Sequence, residues 1–83
     1  MKSEKDLDLP LYYDFYGSFL TEKQAKVFEM YYNDDLSLAE IAQEMEISRQ
    51  GVMDTVKRSR KKLYDMEEKL GLVKKELEGS NGV

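Results

Sequence analysis

There is no cysteine in this chain of 83 residues, and no histidine or tryptophan. Without cysteine there are no disulfides and no thiolate chemistry. Without either cysteine or histidine, the usual zinc sites and every histidine-dependent triad are excluded. Uninterrupted apolar runs are only a few residues long, far short of the roughly 20 needed to span a bilayer. The opening stretch MKSEKDLDLP mixes acids with lysines and has no apolar core, so it does not read as a signal peptide. A cytoplasmic protein without a membrane partner is expected. Proline occurs once, at Pro10, and strict apolar–polar alternation persists nowhere, so no strand is predicted.

What is present is apolar residues at 41% and charged residues at 36%. That is too apolar for a disordered chain, and the charge is typical of exposed helices. A chain this short buries only roughly 60–65% of the surface its unfolded state exposes, so its core is modest. The apolar spacing predicts four helices. The first runs from about Leu9 to Phe19, with Pro10 in its first turn and Tyr12, Phe15, Tyr16 and Phe19 on one aromatic face. Thr21 reads as the N-cap of a second helix, Glu22 to Asn33, whose apolar face is Val27, Phe28, Tyr31 and Tyr32. NDD, residues 33–35, is a stop and a turn. Ser37 with Glu40 forms a capping box for the third helix, which turns Leu38, Ile41, Ala42 and Met45 inward. Ser48 caps the fourth. Residues 1–8 are expected to be flexible, 9–78 to form a single domain, and 79–83 to be a disordered tail.

Two short helices joined by a tight turn, the second opening on a capped basic segment, describe a helix-turn-helix over about residues 37–60. Ala42 is the small residue where the helices cross, Ile47 plugs the turn, and Val52 and Val56 fix the second helix against the first. In such a motif the start of the second helix enters the major groove. Arg49, Gln50, Met53, Asp54 and Lys57 are left facing outward, with Ser48 at the cap. Arginine can contact guanine in bidentate fashion, glutamine can do so with adenine, and aspartate can accept from cytosine. Lys57, Arg58, Arg60 and Lys61 are candidate phosphate contacts. The charge is concentrated here. Residues 48–62 hold six bases and one acid, whereas residues 1–36 hold four bases and eight acids in a chain of net charge −4.

The segment from Ser37 to Leu63, SLAEIAQEMEISRQGVMDTVKRSRKKL, resembles the DNA-reading helix-turn-helix of bacterial sigma-factor region 4. More closely, LYYDFYGSFLTEKQAKVFEMYYNDDLSLAEIAQEMEISRQGVMDTVKR resembles the YlxM family of small bacterial proteins, whose members carry a similar DFY, LT.KQ, YY.DD.SL.EIA and SRQ.V.D..KR pattern. The resemblance covers about Leu11 to Leu70. It implies an all-α, sigma-region-4-like domain with a long C-terminal helix, and a link to the signal recognition particle system. It also implies a longer C-terminus than this chain has. Many helix-turn-helix proteins place glycine in the turn where this chain has Glu46, so a left-handed conformation there would carry mild strain.

Each sharp feature has a plainer reading beside it. A run such as KRSRKK is more often a solvated helix face, and Asp54 among the readers would repel phosphate. The aromatics could stack on bases, but at helical spacing they read as core. Asp34 and Asp35 could hold a cation, but a helix-ending turn accounts for them. With no glycine-rich phosphate loop, the chain reads as a non-enzyme with no cofactor and no metal. The leading function is nucleic-acid binding, most simply DNA regulation. The alternative is a non-enzymatic accessory of the signal recognition particle pathway, acting through protein or RNA contacts.

A second signal lies in the last helix. Val52, Val56, Ser59, Leu63, Met66, Leu70, Val73 and Leu77 repeat at spacings of 4 and 3, a heptad seam with one polar interruption. A helix from 49 to 77 would be roughly 43 Å long at 1.5 Å per residue. It should overhang a globule whose radius of gyration is about 12 Å. Either the first helix lies along this overhang or a second copy does; the second copy is favoured, with Leu63, Met66, Leu70 and Val73 expected to form a homodimer interface. Gly71 is the weak point of that helix.

Overall fold

The computed structural model describes residues 9–81, so the expectations for residues 1–8 and 82–83 lie outside the described residues. Five α-helices follow one another: α1 (Leu9–Tyr16), α2 (Glu22–Phe28), α3 (Leu38–Met45), α4 (Arg49–Leu70) and α5 (Leu72–Asn81). There is no strand among the described residues, and no helix among them is long and apolar enough to cross a membrane.

The first helix stops at Tyr16, and residues 17–19 tighten into a 3₁₀ turn. At three residues per turn this rotates Phe19 out of the aromatic face, leaving it half exposed while Leu20 goes inward. Gly17 permits the turn: a Cβ there would lie 3.0 Å from the ring of Tyr13. That ring stacks on Phe28. The Tyr13 hydroxyl donates to Glu29, and burial followed by this carboxylate pushes its pKa up to about 12. Thr21 and Gln24 form a reciprocal capping box that starts α2. The helix then widens into a π turn at Glu29–Asn33, and the chain reverses through Asp35 at φ 59°.

Ser37 and Glu40 close the predicted capping box on α3, with contacts of 2.8 and 3.1 Å. α3 ends on Glu46 in the left-handed region, φ 59° and ψ 44°. The Ile47 N–H reaches the Ala42 carbonyl at 3.0 Å and the Glu46 N–H reaches that of Gln43, the pairing of a Schellman turn. A left-handed non-glycine residue costs about 1–2 kcal/mol. Glu46→Gly is therefore expected to stabilise the domain by about 0.5–1 kcal/mol, after the extra freedom of glycine in the unfolded chain is subtracted. In a thermal melt this would appear as a rise of about 2–8 °C. An unchanged or lower midpoint would show that Glu46 gains something else in the turn.

The core is two clusters on one long helix. Val27, Ile41, Ala42, Val52 and Val56 hold α2, α3 and the start of α4 together. Leu9, Tyr16, Leu20, Phe28, Leu63 and Val73 hold α1, α2, the later part of α4 and α5. Ser59 is fully buried in the same stripe, its hydroxyl satisfied by the Thr55 carbonyl at 2.8 Å.

Two expectations are corrected at the C-terminus. The predicted continuous helix from 49 to 77 breaks at Gly71, which adopts φ 63°, and α5 then packs against α1. It runs to Asn81. Leu63 and Val73, expected beyond the reach of the core, are buried inside the single chain, and Met66 is partly buried. The reason is a capping arrangement around the break. The Glu67 carboxylate accepts from the N–H groups of Val73 and Lys74 at 3.1 and 3.0 Å, and the Leu72 N–H donates to the Tyr16 hydroxyl at 2.9 Å. Tyr16 in turn donates to Glu67 at 2.5 Å. Burial, then the Glu67 contact, raises the Tyr16 pKa. Burial would raise the Glu67 carboxyl too, but its hydrogen bonds from Tyr16, Lys74 and Val73 outweigh this and hold it below the usual carboxylate range.

Candidate nucleic-acid interface

The opening of α4 is presented by a rigid platform. The Schellman turn at Glu46 fixes the direction of the chain, and Ile47 packs on the α3–α4 cluster. The Ser48 hydroxyl then accepts from the Gly51 N–H at 2.9 Å. Ala42 at the crossing is nearly buried, as its small size requires.

Seen down an ideal helix at about 100° per residue, the buried stripe Val52–Val56–Ser59–Leu63 occupies roughly 280–340° from Arg49. The candidate readers fall on the other half. Gln50, Met53, Lys57, Arg60 and Lys61 cluster within roughly 20–120°, with Asp54 and Arg58 beyond them and Arg49 at the near rim. Ser48, Arg49, Gln50, Asp54, Lys57, Arg58 and Lys61 are exposed, while Met53 and Arg60 are half-buried beside the core. The basic run wraps rather than lines one side: Lys62 falls at roughly 220°, away from the others.

Ion pairing sorts these residues further. The Arg58 guanidinium lies 2.9 Å from Asp54, and the Lys61 ammonium 3.2 Å from Asp65, both one helical turn apart and solvent-exposed. Such pairs contribute only about 0.3–0.5 kcal/mol each, so either base can be drawn off by a phosphate. Asp54, the acid among the expected readers, thus has its charge offset by Arg58. Among the described residues no carboxylate pairs with Arg49, Lys57, Arg60 or Lys62. Spacing alone pointed to a charged face, but which bases stay free depends on side-chain rotamers that the sequence does not reveal. No group of three or more potential metal ligands occurs among the described residues.

Comparison with known proteins agrees with this architecture. The family described as "Putative helix-turn-helix protein, YlxM / p13 like" matches residues 3–81. The chain is 56% identical over 75 residues to the UPF0122 protein of Thermoanaerobacter sp. (strain X514), covering 90% of this chain and 64% of that protein. It is 57% identical over 72 residues to the corresponding protein of Caldanaerobacter subterraneus subsp. tengcongensis, covering 87% and 62%. A UPF0122 protein of Halalkalibacterium halodurans is 50% identical over 72 residues, with 87% and 66% covered. The chain spans less than two thirds of the length of these relatives.

Proposed function

The chain belongs to the YlxM/p13-like helix-turn-helix family, and from that premise we propose that it binds duplex DNA as a regulator, with the first turns of α4 in the major groove. One observation carries the reading. Arg49 and Gln50 stand exposed at the capped start of a helix held by α3, on the same face as Lys57, with which no carboxylate among the described residues pairs. Arg49 and Gln50 read base edges, Met53 offers an apolar edge to a thymine methyl, and Lys57, Arg60 and Lys61 meet phosphates. Arg58 exchanges Asp54 for a phosphate, which frees Asp54 to accept from a cytosine amino group.

The test is affinity against salt. Three or four phosphate contacts predict a log–log slope of about −3 to −4, at −0.9 per neutralised phosphate. A slope near zero, or no duplex binding at low salt, would sink the reading. A second reading has its own support: Gln43, Glu44 and Glu46 form an exposed, acidic outer face of α3 close to the turn. That face would repel a DNA backbone and suits a basic protein surface. Under this reading the chain is an accessory of the signal recognition particle pathway, and it would bind that particle's protein or RNA while ignoring duplex DNA.

A further inference from the structure

The heptad pattern continues where the helix does not. Leu63, Met66, Leu70 and Val73 keep their 4-and-3 spacing straight through Gly71, although α4 stops there. An elbow requires no such register, because once the chain bends at Gly71 the phase of α5 relative to α4 is free. The positions flanking this seam from 60 to 76 are Arg60, Lys62, Glu67, Lys69, Lys74 and Glu76, and all six are charged. That is the composition of coiled-coil flanks and not of a helix end packed in a private core. The elbow itself rests on one permissive residue. A Cβ on Gly71 would come no closer than 3.9 Å to the Glu67 carbonyl, so space does not demand glycine and only φ 63° does. Over residues 72–76 the hold on α5 is slight. Of these only Val73 is buried, and the N–H groups of Leu72, Val73 and Lys74 are held by the Tyr16 and Glu67 cap. At the corner, Leu70 and Leu72 remain 49% and 42% exposed.

We propose that α5 is a hinged strap, and that straightening at Gly71 joins α4 and α5 into one helix whose Met66–Leu70–Val73 seam, running on from the buried Leu63, is covered by a second copy of this chain. Closed, α5 lies on α1 and the seam belongs to the monomer. Open, the N–H groups of Leu72, Val73 and Lys74 bond to the carbonyls of Glu68, Lys69 and Leu70, so the Tyr16 and Glu67 caps are no longer needed. Leu70 moves from an exposed corner to the middle of an apolar seam. The occupant is a second copy because a seam of 3.5-residue period, with charges of both signs on its flanks, is complementary to itself. The inference stands apart from the nucleic-acid reading.

Sedimentation of the unmutated chain and its variants across protein concentration tests it. Gly71→Ala disfavours the elbow and favours the continuous helix, so its dimer constant should be tighter than the unmutated protein's by about tenfold or more. Gly71→Asn tolerates the left-handed conformation and should behave as the unmutated chain. Leu70→Asp alone should leave the monomer's melting nearly unchanged, because the residue is already half exposed, yet it should abolish dimerisation when combined with Gly71→Ala. If Gly71→Ala fails to fold, Glu67→Ala loosens the strap from its other side and should shift the equilibrium in the same direction. A folded Gly71→Ala protein, or Glu67→Ala in its place, that stays monomeric or dimerises no more tightly than the unmutated protein overturns the proposal. So does any dimer that Leu70→Asp leaves intact.

Discussion

Arg49→Ala and Gln50→Ala are each expected to lose about 1–3 kcal/mol of preference for one DNA sequence, roughly 5- to 150-fold, while nonspecific binding stays. Both side chains are exposed on the first turn of α4, and no carboxylate among the described residues competes for Arg49. Lys57→Ala is the control. It sits in the middle of the proposed contact face without an ion pair among the described residues, and its loss should weaken every duplex alike and lower the salt slope by about one contact. Lys61→Ala should do the same more weakly, because its ammonium already shares Asp65. Competition binding between a selected duplex and a scrambled one separates these effects. Equal losses from Arg49, Gln50 and Lys57 on both duplexes would mean that none of the three reads a base.

Much of this site was legible because local rules set it. Ser37 and Glu40, Thr21, and Ser48 are caps whose partners lie three residues away, so their geometry follows from the chain itself. Ala42 at the helix crossing and the Val52–Val56 stripe follow from periodicity alone. The Glu46 turn was legible too, because the motif needs a left-handed residue there and the chain offers no glycine.

What escaped was set by contacts distant in sequence. The π turn at Glu29–Asn33 changes the register of one short segment and has no composition signal. The path of α5 depends on Tyr16 meeting Glu67 and Leu72, residues 51 and 56 positions away. Gly71 advertises a possible break, but only that long-range cap makes the broken form a folded one. The heptad pattern is correct as a description of the residues; the structure turns Val52 and Val56 toward α2 and α3, and Leu63 and Val73 into the cluster of α1 and α2 within the same chain.

Phe28→Ala should be the most damaging single substitution, costing about 3–5 kcal/mol. A domain of this length has a total stability of only about 4–12 kcal/mol. Phe28 is fully buried, with the Tyr13 ring 4.7 Å away on one side and the Tyr32 ring 4.6 Å away on the other. Truncation empties the centre of that stack and loses aromatic contacts worth about 0.5–1.5 kcal/mol per pair beyond buried area. The consequence reaches the candidate interface through α2. Val27, the next residue back, faces the other cluster and packs with Ile41, Ala42, Val52 and Val56. One helix therefore ties the aromatic core to the helix-turn-helix, and loosening it on one side frees it on the other. A thermal midpoint lower by about 15 °C or more is expected. Loss of DNA binding by this variant should follow the unfolded fraction and recover on cooling, unlike the loss of sequence preference caused by Arg49→Ala, which persists in a fully folded protein. A midpoint within a few degrees of the unmutated chain would show that Tyr13 and Tyr32 close over the gap, and that the two clusters are held together by something other than this stack.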